Sequence, residues 1–165
     1  MGADHVDQII EQWRRERPDV DVSAIAIIGR ISRLEQMIQP LLARVFAEHD
    51  LAWWEYDVLA ALRRSGEPYQ LTAGQLLSSL MITSGAVTNR LDRLEKRGLI
   101  ERVKDPADGR IVLATLTADG LAKIDAALVD HAANELRLIQ VLDDAERDTL
   151  VRLLRILHEG LSSQS

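Results

Sequence analysis

Six side chains recur along one short stretch at helical spacing: Ser84, Thr88, Asn89, Arg93, Lys96 and Arg97. All carry hydrogen-bond donors, and none is a nucleophile backed by a base. Such a row suits recognition, with amide and hydroxyl groups able to meet base edges and cations able to meet phosphates. Val87, Leu91 and Leu94 fall between them as one apolar stripe, so the same helix has a face to bury and a face to present. A second group follows a few residues on: Lys104, then Asp108 and Arg110 in a glycine-containing turn. Bond-making chemistry has no comparable signal. The chain has no cysteine, its four histidines are not paired at metal-ligand spacing, and no glycine-rich phosphate loop is present. No enzyme activity, metal or cofactor is expected. The histidines (His5, His49, His131, His158) read as solvated positions on helices.

The elements that position these residues can be drawn from the pattern. Thr72 caps a short helix containing Leu76, Leu77 and Leu80, and Met81–Ile82 make a turn. Thr83 or Ser84 caps the helix that presents the donor face, and Gly98 stops it. Leu99–Lys104 and Arg110–Leu116 alternate as two strands around Asp105-Pro106-Ala107-Asp108-Gly109. A helix pair followed directly by a basic hairpin is the layout of a winged helix-turn-helix reader of duplex DNA. Residues assigned to that contact are Thr83, Ser84, Thr88, Asn89, Arg93, Lys96, Lys104, Asp108 and Arg110.

The remainder is helical. A first helix near 4–16 carries Val6, Ile9, Ile10 and Trp13 on one side, and Pro18 with Asp19–Asp21 ends it. A long helix from about Ser23 to Glu48 contains Pro40, and a third covers Trp53–Arg64 before Ser65-Gly66. Thr117 caps a long helix to about Val141. Asp143 and Glu146 form a capping-box pair for the last one, which carries Leu150, Leu153, Leu154, Leu157 and Leu161. With 165 residues, 47% of them apolar, the chain reads as one domain, mainly α with a small β wing. Residues 1–50 and 117–165 are expected to form a helical pairing lobe and 53–116 the DNA-reading lobe. The outer helices carry more apolar surface than one copy of this layout covers, so a two-fold homodimer on a near-palindromic site is expected. The net charge of −6 is unevenly spread. Residues 83–110 hold seven basic residues against five acidic ones, a locally positive segment on an acidic body. No apolar run is long enough to span a bilayer, and the acidic N-terminus lacks signal-peptide character, so a cytoplasmic location is expected.

The stretch SGAVTNRLDRLEKRGLIER, the Asp108-x-Arg110 wing tip and the helices on both sides resemble the MarR family of bacterial transcriptional regulators over nearly the full length. The resemblance implies a dimeric winged-helix architecture, an aspartate that orients a minor-groove arginine, and repression relieved by small anionic or phenolic ligands. The added first helix with Trp13 is similar to the urate-responsive and pectinase-regulator-like branch. That resemblance implies a ligand site of Trp13, Asp57, Arg90 and Arg102, for a urate-like purine or an organic carboxylate. Each of these has a plainer reading too. Trp13 fits a packing residue, Asp57 and Arg90 fit a structural pair, and Arg90 and Arg102 fit phosphate contacts. A DNA-binding or protein-docking regulator without small-molecule input is the alternative function.

Overall fold

The computed structural model describes residues 2–80 and 84–163, so the proposed Met81–Ile82 turn and the cap at Thr83 lie outside the described residues. The chain forms two compact units, residues 1–44 and 45–165.

In the first unit, α1 (His5–Glu16) is started by a reciprocal cap: Asp4 accepts from the backbone of Val6 and Asp7, while Asp7 accepts from that of Asp4. Both carboxylates then meet Arg30 of α2 (Ile25–Glu48), at 2.9 Å from Asp4 and 2.7 Å from Asp7. That Arg30 hydrogen bond holds the Asp7 carboxyl below the usual carboxylate range. Gly29 is the small residue at this contact, since a Cβ there would lie 3.2 Å from the Val6 side chain. Val6 and Ile10 are buried as the sequence pattern anticipates, but Trp13 is 48% exposed. The anchoring contacts fall in the first turns of α1, and the apolar stripe continues past them. Pro40 sits inside α2 without ending it.

The second unit takes the last residues of α2 from Val45 onward. It continues with α3 (Trp53–Arg64), β1 (Gln70–Thr72), α4 (Ala73–Leu80), α5 (Ser84–Lys96), β2 (Ile100–Lys104), β3 (Val112–Leu116), α6 (Ala118–Leu138) and α7 (Asp144–Ser162). Its core brings Phe46 together with Val58, Leu59 and Leu62 of α3 and with Leu76, Leu94, Ile100 and Ile124, all essentially inaccessible. α3 is the central element and packs on α4, α5, α6 and β3. The wing hairpin is antiparallel, pairing Ile100 with Leu116 and Lys104 with Val112.

The sheet has three strands, in the order β1-β3-β2, where the sequence suggests two. Gln70-Leu71-Thr72 is too short to show an alternation, and only its pairing with Leu113–Thr115 makes it a strand. Thr72 also starts α4, accepting from Gln75 while Gln75 accepts from Thr72. Gly98 follows α5 at φ 69, the left-handed conformation that glycine adopts freely.

Thr117 caps α6 through Gly120 and donates its hydroxyl to Gly98. α6 ends at Leu138, three residues short of the expected Val141, because Ile139 leaves helical geometry while its N–H still bonds Glu135. Asp143 and Glu146 cap α7 reciprocally, as the pattern indicates.

The histidine reading needs correction. His131 is buried at 9% exposure against the stacked rings of Phe46 and Tyr56, with centroids 4.9 Å away in each case. It follows Ile124 and Ala127 on the buried stripe of α6, at a spacing that already places it inward. His49 is tied to Asp130 at 2.8 Å.

Candidate nucleic-acid interface

α5 behaves as its two-faced pattern requires. Val87, Leu91 and Leu94 are buried, while Thr88, Asn89, Arg93 and Lys96 are exposed; Ser84 opens the helix. The buried stripe fixes the helix on α3, α4 and β2, so the donor face is held by packing. Of the six residues in the donor row, Arg97 departs. It donates to Glu55 at 2.7 Å and to the backbone carbonyl and carboxylate of Asp50, which binds it inward. Its partners are more than forty residues away in sequence, and helical spacing alone cannot reveal them.

The wing tip is built locally. Asp105 accepts from the backbone of Ala107 and receives an N–H interaction from Asp108, and its own N–H bonds Ile111. Asp108 accepts from the Arg110 backbone at 3.0 Å and from its guanidinium at 3.1 Å. The backbone bond first, and then the side-chain bond, keep the Asp108 carboxyl below its ordinary range. Arg110 is thus oriented while its side chain remains 92% exposed. Lys104 ends β2, also exposed. A cation steered by its neighbouring carboxylate and open to solvent suits a groove of strong negative potential.

The residues assigned to a small ligand separate into different surroundings. Arg102 bridges back to α5, at 2.6 Å from Asp92 and 2.7 Å from Glu95. With Thr88, Leu91, Asp92 and Val112 it lines a cavity of about 360 Å³ between α5 and the wing. Asp57 lines another, of about 460 Å³, with Tyr56, Arg63, Arg64, Asp125 and Leu128. Burial raises the Asp57 carboxyl above its usual range, and the charges of Arg64 and Arg90 oppose that rise. The Arg90 guanidinium lies 5.9 Å from the centre of the Trp54 ring. Trp13 belongs to α1 in the first unit. Residues that sequence reasoning missed are Trp54 and Glu55, whose partners are Arg93 of α5 and Arg97 just past its end. The spacing of Arg90, Arg93 and Arg97 was the available signal, because one helical stripe of arginines calls for a facing partner. Among the described residues no group of three or more histidine or acidic side chains is placed to hold a metal. No helix among them is long and apolar enough to cross a membrane.

A short helix, a second helix with a buried stripe and a donor face, and an antiparallel wing with an exposed arginine at its tip define a winged-helix transcriptional regulator. The comparisons agree. The model described as the MarR family matches residues 49–111. The HTH-type transcriptional regulator PecS of Dickeya dadantii is 39% identical over 149 residues, covering 90% of each chain. Among solved structures, a mutant MarR of E. coli in complex with operator DNA superposes with a TM-score of 0.70 at 28% identity, over 84% of this chain and 99% of that one. BpsR of Bordetella bronchiseptica, whose DNA binding is regulated by 6-hydroxynicotinic acid, gives 0.69 at 27%, over 80% and 92%. The chain belongs to the MarR family of DNA-binding transcriptional regulators.

Proposed function

We propose that this protein is a homodimeric, sequence-specific regulator that represses from a near-palindromic operator and is released by a small anion. The observation that carries the DNA-reading part is α5, whose buried stripe of Val87, Leu91 and Leu94 holds Thr88, Asn89, Arg93 and Lys96 outward, with Arg110 exposed on the wing. Residues 53–116 form the reading lobe, and the helices of 1–50 and 117–165 form the pairing lobe. Thr83, Ser84, and Lys104 and Asp108 of the wing complete the contact in this reading. A cytoplasmic location follows from that role.

Release by an anion rests on two supports. The identity to PecS favours the branch with the added first helix, and BpsR, a structural relative, answers to an aromatic carboxylic acid. In this reading Trp13, Asp57, Arg90 and Arg102 bind a urate-like purine or an organic carboxylate. The anion competes with Asp57 for Arg90, and the resulting shift of α5 lowers DNA affinity. The alternative, a regulator without small-molecule input, is favoured by one observation: both ends of the Arg102 guanidinium already hold carboxylates.

Selection of duplexes from a random pool, followed by titration of the selected site, tests the first part. A thermal-shift panel of purines, phenolates and tricarboxylates tests the second. A ligand that raises the melting temperature and also releases the selected duplex supports the anion reading. Flat responses with DNA binding intact leave the alternative.

A further inference from the structure

Arg90 and Arg93 of α5, with Arg97 just past its end, form one stripe that meets two consecutive residues in the first turn of α3. The Arg93 guanidinium carbon lies 4.6 Å from the centre of the Trp54 ring, and that of Arg90 lies 5.9 Å from it. Glu55 is 4% exposed, and one carboxylate oxygen accepts both the Ala52 backbone N–H at 2.8 Å and Arg97 at 2.7 Å. Arg97 extends the link to the Asp50 carbonyl at 2.7 Å. Glu55 and Arg97 thereby fix the end of α5, and Trp54 lies under the two arginines before it, Arg90 and Arg93. A guanidinium over an aromatic face still has N–H groups at its edge free to donate, while its rotamer freedom is reduced before any partner arrives.

We propose that Trp54 is a positioning residue for DNA reading: its ring holds Arg93 in the direction in which that side chain meets the duplex, and so sharpens the choice of sequence. The proposal rests on the DNA-reading function given above. It assigns to Trp54 no contact with DNA and no charge, so its removal affects selected duplexes and spares random ones.

Trp54→Leu removes the π face and retains an apolar side chain, whereas Trp54→Phe retains a smaller aromatic face. For the selected duplex, Trp54→Leu is expected to weaken binding about two- to fivefold per protomer, the range of an exposed cation–π contact. Trp54→Phe should stay within about twofold by the same measure, and random-duplex affinity should not move in either. In a double-mutant cycle, Trp54→Leu should add nothing to the cost of Arg93→Gln. Arg93→Gln in the otherwise intact chain gives a reading that leaves the tryptophan in place. It should change tryptophan emission without DNA, and this holds even where Trp54→Leu fails to fold. Equal losses on selected and random duplexes, additive costs in the cycle, or unaltered emission in Arg93→Gln would each overturn the proposal. A parent protein that selects no sequence overturns the DNA-reading function and this inference with it. A parent that selects normally while the Trp54 variants match it overturns this inference alone.

Discussion

Arg110 is almost fully exposed yet oriented by Asp108, so its removal should cost contact with DNA and leave the fold unharmed. Arg110→Ala is expected to weaken binding to all duplexes and to lower the slope of log affinity against log salt by about one per protomer. Titrations at several salt concentrations check this, and an unchanged slope would remove Arg110 from the phosphate contacts. Thr88 and Asn89 should behave differently, because they stand on the exposed face of α5. Asn89→Ala should cost about 1–3 kcal/mol on the selected site and little on random DNA, as expected for a base contact. Equal loss on both duplexes would count against the face assigned to α5.

Asp57 gives a pH prediction at the same scale. Its carboxyl is raised by burial, so between its unfolded and folded ranges the folded chain binds more protons than the unfolded one. The charged carboxylate thus destabilises the fold at neutral pH, and acidification through the raised range relieves the penalty. Asp57→Asn should melt above the parent at pH 7, and the difference should close as pH falls below the usual carboxylate range. Melting curves across that range decide it, and a gap that widens on acidification would contradict the burial argument.

At the scale of elements, the wing and the start of α6 meet at close range. Gly120 lies so close to Leu99 that an added Cβ would run into its carbonyl oxygen and press the Leu116 side chain. Thr117 bonds Gly98 at the same place, so the end of α5, the start of β2 and the start of α6 converge there. Gly120→Ala has no flexible side chain to displace and should destabilise by about 2–3 kcal/mol, as overpacking against backbone does. Denaturant unfolding measures this, and a loss below about 0.5 kcal/mol, the scale of an ordinary surface change, would show that α6 can shift instead. The capping pairs Asp4–Asp7, Thr72–Gln75 and Asp143–Glu146 need only neighbouring residues, and for that reason their helix starts were legible in the sequence. β1 was not, because three residues carry no period and their partner strand lies some forty residues away.

At the scale of the whole molecule, α2 and α7 each carry a run of exposed apolar side chains among the described residues. Ile27, Ile28, Ile31, Leu34 and Met37 of α2 are exposed, as are Leu150, Val151, Leu153, Leu154 and Ile156 of α7, and no residue of α7 is buried. Patches of that extent mark an interface, and the two-fold dimer proposed above accounts for them. Light scattering at micromolar concentration should give twice the chain mass. Leu154→Glu should lower that mass and weaken operator binding together, because two linked reading helices bind one palindrome more tightly than either alone. A monomeric parent would end the dimer proposal and the palindromic site with it.

The sequence by itself determined the order of helices, the caps at Thr72, Thr117 and Asp143, and the two faces of α5. Each of these depends on residues within a few positions of one another, where helical period, capping chemistry and turn residues act directly. Tertiary structure decided which polar groups face inward. Arg97 looked like one more donor on the reading face until Glu55 and Asp50 were brought to it. It also placed Arg102 with Asp92 and Glu95, and put Trp54 beneath Arg93. The physical reason is the same in every case. A charged or aromatic side chain is assigned by the partner that meets it, and chain folding alone brings partners from distant segments together.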